Sequence, residues 1–212
     1  MNFAQVRIVL YVKYSIAMRT YKRVISMIVI LLAAGAATIT FGQGQPDPAR
    51  LISAQREAMN RFAMLDGVWR GTAWVMLPSG EKHQLTQTER VGPLLEGSVK
   101  VIEGRGYEED GSVSFNALGI ISFNPQTNTY SIRSYAQGQA GDFSISPTEE
   151  GYQWEIPAGP MTIQYKAIFG ENTWKETGER ISPDGTSIQF YEMTLNRIAD
   201  TNWPSAGAIA PK

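Results

Sequence analysis

Two consecutive stretches, Val68-Trp69-Arg70-Gly71-Thr72-Ala73-Trp74-Val75-Met76-Leu77 and Lys82-His83-Gln84-Leu85-Thr86-Gln87-Thr88-Glu89-Arg90-Val91, decide the fold. The first is rich in aromatic and β-branched residues, which suit a pleated, half-buried surface. The second alternates, with Leu85, Gln87, Glu89 and Val91 on one face. Pro78-Ser79-Gly80 between them is a turn signal, so the two read as a hairpin.

The same grammar repeats to Ile198. Strands are expected at Leu95–Glu103, Val113–Phe123, Thr129–Tyr135, Asp142–Ile145, Tyr152–Ile156, Met161–Phe169, Asn172–Ile181 and Ser187–Ile198. Turn chemistry separates them: Gly92-Pro93, Asn124-Pro125-Gln126-Thr127-Asn128, Glu150-Gly151, Ala158-Gly159-Pro160 and Pro183-Asp184-Gly185. About ten short strands joined by hairpin-length loops, without crossover helices, predict an all-β antiparallel meander. A sheet this large must curl, and closure removes exposed edges. A closed meandering barrel over 67–198 is therefore expected, with a two-sheet sandwich as the alternative.

Upstream, residues 43–66 read as a lead-in and one amphipathic helix. Asp47 is its N-cap and Pro48 its first helical residue. Leu51, Ile52, Met59 and Phe62 fall near one face, and Asp66-Gly67 ends it. Its expected role is to cover one end of the core. Residues 199–212 read as a loosely ordered tail.

Residues 1–42 differ in character. Arg19, Lys22 and Arg23 precede the uncharged run Val24–Ala37, which closes on Ala33, Ala34, Gly35, Ala36 and Ala37. Basic, apolar and small in that order is the pattern of a secretory signal peptide. Met18 is read as the natural start, with cleavage near Ala37 or Gly42. The expectation is an exported protein, periplasmic or extracellular, with no stable membrane insertion after cleavage. An uncleaved membrane anchor is the alternative, since the uncharged stretch to Phe41 is of about spanning length.

Removing residues 1–42 takes away five basic and no acidic residues, leaving 14 Lys and Arg against 20 Asp and Glu. Nucleic acid, which needs a basic footprint, is disfavoured as a partner. Cysteine is absent and His83 is the sole histidine. Disulfides, thiolate sites and multi-histidine metal centres are thereby excluded, and no cofactor is expected.

Gly67-Val68-Trp69-Arg70-Gly71, directly after the helix, resembles the Gly-x-Trp-x-Gly start of calycin barrels, the group of the lipocalins and fatty-acid-binding proteins. Gly119-Ile120-Ile121-Ser122-Phe123-Asn124-Pro125 followed by Thr129-Tyr130 resembles a strand–turn–strand of bacterial lipocalin-like proteins of unknown function. The resemblance implies a barrel with Trp69 packed across its closed end. Barrel heme proteins of the nitrobindin type share the opening pattern, but they hold iron through a histidine near the C-terminal end. No histidine follows His83 here.

In a barrel every second residue points inward. The resemblance sets Trp69, Ala73 and Val75 inward. Glu89 shares a face with Leu85 and Val91, and an inward carboxylate among apolar residues is an acid/base group or an anchor for a ligand's polar head. Glu192 shares parity with Phe190 and Ile188 and is a second candidate inward carboxylate. Arg180 shares parity with Trp174 and Glu176, so it can face in near the rim. Arg133 shares parity with Tyr135 rather than Ile132, and its direction is open. Tyr130, Tyr152, Trp154, Tyr165, Trp174 and Phe190 can line an apolar cavity or simply pack a core. The candidate ligand-binding set is Trp69, Glu89, Tyr130, Arg133, Trp154, Tyr165, Glu176, Arg180, Phe190 and Glu192.

His83, beside Glu81 and Lys82, is expected at the surface. Gly104-Arg105-Gly106 has no helix after it, so it is not a phosphate cradle. Glu103–Asp110 lacks the ligand spacing of a calcium loop and reads as a solvated acidic loop. Three functions follow: binding a small, mostly apolar molecule; metal-independent catalysis by interior carboxylates; or an envelope structural or interaction module.

Overall fold

The computed structural model describes residues 46–203. The N-terminal segment and the end of the tail fall outside them, so signal peptide, start site and cleavage point lie outside the described residues. No helix among the described residues is long and apolar enough to cross a membrane.

Helix α1 spans Pro48–Met59 and continues as a 3-10 helix over Asn60–Leu65. The Asp47 carboxylate accepts a hydrogen bond from the Ala49 N–H at 3.1 Å, satisfying one of the free donors of the first turn. Ten strands follow: β1 Gly67–Met76, β2 Lys82–Leu94, β3 Val99–Tyr107, β4 Val113–Asn124, β5 Thr129–Ala136, β6 Gln139–Pro147, β7 Gly151–Ala158, β8 Met161–Phe169, β9 Thr173–Ile181 and β10 Ser187–Ala199. Each pairs antiparallel with the next, and β1 pairs with β10, so the meander closes into a barrel without an edge. The two-sheet alternative is thereby ruled out.

Several boundaries differ from the sequence reading, and each has a local cause. Gly92-Pro93 does not end β2: Gly92 pairs with Val101 and Pro93 with Lys100. Gly92 leaves room for Trp203, whose side chain would lie 2.7 Å from an added Cβ. The break comes instead at Leu95–Gly97, where Leu95, Glu96 and Gly97 all have positive φ, so β3 starts at Val99 rather than Leu95. Gly104-Arg105-Gly106 extends β3 instead of forming a loop, and the acidic turn shrinks to Glu108–Ser112.

One end of the barrel is closed. Phe62 and Leu65 from the 3-10 helix and Trp69 and Trp174 from the wall are each at most 2% exposed. Trp69 meets Trp174 edge-on at 5.9 Å between ring centres, and its Nε1–H donates to the Leu65 carbonyl at 2.9 Å. Burying side chains such as Phe62 and Leu65 contributes about 1.5–3 kcal/mol each. Helix and wall are tied by Gln55 Nε2 donating to the Phe123 carbonyl at 3.2 Å and by the buried Lys100 paired with Asp66. The amphipathic helix thus covers one end, as its apolar stripe predicts. The opposite end carries the β1–β2, β3–β4, β5–β6, β7–β8 and β9–β10 turns.

Candidate functional site

Above the plug the interior is not filled. A cavity of about 530 Å³ runs from Trp174 and Glu89 towards the turns of the open end. Its walls are built by inward parity: Ala73 and Val75 on β1, Leu85, Gln87 and Glu89 on β2, Ile102 and Gly104 on β3, Ile132 on β5, Trp154 on β7, Tyr165 on β8, and Trp174 and Glu176 on β9. Its exposed lining is mostly apolar, and the volume falls in the range of small-molecule sites.

Glu89 lies deep in this space. In the β1–β2 pairing it stands opposite Trp69, and in the β2–β3 pairing opposite Gly104. A Cβ on Gly104 would sit 2.6 Å from one carboxylate oxygen and 2.8 Å from the other, so the glycine is what makes room for the acid. Gln87 Nε2 donates to Glu89 Oε1 at 2.7 Å. No cation among the described residues pairs with this carboxylate. Burial pushes its pKa up from 4.5 to about 8; the Gln87 hydrogen bond opposes the rise, and the charges of Glu176 and Glu103 add to it.

Glu176 is the second buried acid. Burial raises its pKa too, opposed by hydrogen-bond donors around it. The Tyr152 hydroxyl donates to one oxygen, and Trp154 Nε1–H reaches the other at 3.5 Å. Trp174 also lowers the Glu176 pKa from close by, yet its Nε1–H meets no acceptor in hydrogen-bond geometry. It is a buried donor without a partner among the described residues. Around the acids stand aromatic rings: Trp154 stacks on Tyr165 at 4.4 Å, and Tyr165 meets Phe190 and Tyr191 edge-on. Burial, with the charge of Glu176, pushes the Tyr165 phenol up to about 12.

The ten sequence candidates divide four ways. Glu89, Trp154, Tyr165, Glu176 and Phe190 line the cavity together. Trp69 and Tyr130 are inward but lie in the closed end: Trp69 is a core plug, and Tyr130 packs on Phe62 and Phe123 with its hydroxyl donating to the Ala58 carbonyl. Arg180 is on the inward parity but exposed at the open end, with its guanidinium over the Phe190 ring at 4.7 Å.

Arg133 and Glu192 are corrections, since both lie on the outer face. Arg133 is exposed, ion-paired with Asp142 and donating from Nε to the Tyr135 hydroxyl at 2.8 Å. Its strand neighbour Ile132 takes the inward place. Glu192 shares sequence parity with Phe190, but a β-bulge between Gln189 and Tyr191 inserts one extra residue. That reverses the facing of everything beyond it. Tyr191 and Met193 therefore turn inward with Phe190, and Glu192 turns out to Lys175 at 3.3 Å. Burial works to raise its pKa, but Gln189 and Lys175 outweigh it and hold it low. Exposed pairs of this kind contribute about 0–1 kcal/mol. Arg133→Ala and Glu192→Ala are thus each expected to change unfolding free energy by about 1 kcal/mol or less, measured by urea titration. A loss above ~2 kcal/mol would contradict the outward placement.

His83 is at the surface, as expected, but on a strand at the cavity mouth and not in a loop. It is the second residue of β2, on the face of Leu85 and Gln87, lines the cavity mouth and bonds Glu108 at 3.1 Å from Nε2. That hydrogen bond holds the Glu108 pKa below the usual carboxylate range. The alternation of 83, 85, 87 and 89 carried this information. For Tyr191, which also lines the cavity and was not a candidate, no sequence signal existed, because nothing in Gln189-Phe190-Tyr191 marks a bulge. Among the described residues no group of three or more His, Cys, Asp or Glu is arranged to hold a metal ion. No family model matches the chain, and no curated protein matches it either.

Proposed function

We propose that this protein is a lipocalin-like, calycin-type barrel that binds a small, mostly apolar molecule inside. One observation carries the reading: the interior is an aromatic and aliphatic cavity of about 530 Å³ instead of a packed core. A barrel of ten strands is wide enough to enclose space. Leaving apolar walls without contacts forfeits dispersion energy, which an apolar occupant restores. Exposed Leu77, Met161 and Ile188 stand at the open end and offer an apolar approach. The basic, apolar and small-residue order of the first 42 residues supports action outside the cytoplasm.

Native mass spectrometry of the protein purified from its own host tests both halves. The expected spectrum shows a bound small molecule on a chain shortened at its N-terminus. Repeated recovery of a ligand-free chain that also fails to shift Trp154 and Trp174 fluorescence with apolar probes would overturn the binding reading. Full-length mass would overturn export by cleavage.

A second reading, catalysis, is favoured by Glu89 and Glu176 facing one cavity beside Tyr152. An acid with a pKa of about 8 can exchange a proton near neutrality. It requires a turnover reaction that Glu89→Gln abolishes while binding persists.

A further inference from the structure

We propose that the cavity selects a ligand whose buried end is a cationic amine, held by Glu89 and Glu176 and faced by Tyr152, Trp154, Tyr165 and Tyr191. This rests on the binding reading above and names the head group that the site would take.

The sign of the site is the first ground. No lysine or arginine lines the cavity, and the one basic residue there, His83 at the mouth, is bonded to Glu108. Every ion pair among the described residues engages some other carboxylate than Glu89 or Glu176. Two desolvated acids without a counter-charge are costly, and stable arrangements pair or neutralise them. An ammonium group supplies the missing charge. A carboxylate ligand would add a third acid to the same space.

The second ground is that the floor is incomplete without an occupant. Glu89 is 8% exposed and takes a single hydrogen bond among the described residues, at Oε1. Its Oε2 takes no hydrogen bond from the described residues and faces the space that Gly104 opens. Trp174 Nε1–H, buried near Glu176, makes no hydrogen bond of good geometry among the described residues.

The third ground is the walls. Aromatic faces attract a desolvated cation through the ring quadrupole, and the Trp154–Tyr165 stack and Tyr191 stand beside the acids. Arg180 and Lys82 lie over Phe190 and Trp74. Both are exposed, so solvent screens their repulsion.

Uptake of an ammonium requires Glu89 to ionise. The titratable groups facing it inside the barrel are Glu176 on β9, Tyr152 on β7 and Tyr191 on β10, and none is cationic; Glu103 on β3 acts through the wall from the outer face, where Arg90 and Arg105 hold it. Binding at neutral pH is therefore proton-releasing.

The test is a matched series with one alkyl chain: octylamine, octanol and octanoate, titrated into the full chain by calorimetry at pH 7 in two buffers of different ionisation enthalpy. Octylamine is expected to bind roughly tenfold or more tighter than octanol, a margin of about 1.4 kcal/mol. Octanoate is expected to be weakest. Amine binding should release protons and tighten from pH 6 to pH 9. Glu89→Gln and Glu176→Gln should erase the amine preference and keep octanol binding. Octanol binding as tightly as octylamine, or octanoate binding best, would sink the head-group assignment and leave the apolar-ligand reading standing. Failure of all three to bind would sink both. The wild-type series decides the matter even if a variant does not fold.

Discussion

Glu89→Gln is expected to make the barrel more stable at pH 9 and to flatten its stability between pH 5 and pH 9. Glu89 has its pKa raised in the folded state, from 4.5 to about 8. The folded protein therefore holds this proton more tightly than the unfolded chain does. The stability it contributes is fully present below pH 4.5 and is lost as pH rises to about 8. At about 1.4 kcal/mol per tenfold change in proton affinity, the loss is on the order of 5 kcal/mol as an upper bound. Glu176, raised by burial as well, acts in the same direction. Glu103, Glu108 and Glu192 have lowered pKa values, so their contributions fade only as pH falls into the acid range, outside this window. Glutamine is nearly isosteric and can still accept the Gln87 hydrogen bond. Denaturant titrations of both proteins at pH 5 and pH 9 read the effect directly. The expected gain at pH 9 corresponds to roughly 10 °C or more in Tm. Parallel pH dependence in the two proteins would show that Glu89 is not desolvated in solution.

Gly71→Ala is expected to cost roughly 4 kcal/mol or more, enough to prevent stable folding. Gly71 pairs with Leu195 where β1 meets β10, the contact that closes the barrel. A Cβ there would lie 2.0 Å from the Thr194 carbonyl oxygen and 2.9 Å from the Leu195 Cα. These are backbone atoms, which cannot swing aside as a side chain can. The two strands must separate or bend, and the ladder that removes the sheet's edges goes with them. Gly80→Ala is the contrast. Gly80 has a φ of +87° in an open turn with nothing near its missing Cβ, so only a modest backbone penalty of about 1 kcal/mol is expected. Urea unfolding of the two variants separates the mechanisms. Gly71→Ala within ~1 kcal/mol of wild type would mean that the strands do not approach so closely.

Gly71 also shows how far the sequence alone can be read. Its place in Gly67-Val68-Trp69-Arg70-Gly71 suggested a barrel start, but the reason a glycine is required lies in Thr194, more than a hundred residues away. Gly104 is similar. In sequence it looked like part of a glycine-rich loop, whereas in the fold it is the hollow that holds Glu89.

The ten strands, their antiparallel order and the covering helix were determined by the chain itself. Period-two alternation, turn residues and the Asp47-Pro48 start are local signals, and local signals survive in a string of letters. Alternation also placed Glu89 and Glu176 inward, because their strands carry no irregularity near them. Facing was lost where the ladder breaks its own period. The bulge at Phe190 reversed Glu192 and brought in Tyr191, and a bulge is decided by what the partner strand can pair with. The tertiary structure alone decided that the interior is hollow. Volume is a balance between the circumference of a closed sheet and the side chains of ten separate strands, and no single stretch of sequence contains that sum. It alone decided, too, that Glu89 and Glu176 are both buried against one cavity, with no cation of the described residues between them. Desolvation and charge compensation depend on which distant groups are absent from a site as much as on which are present.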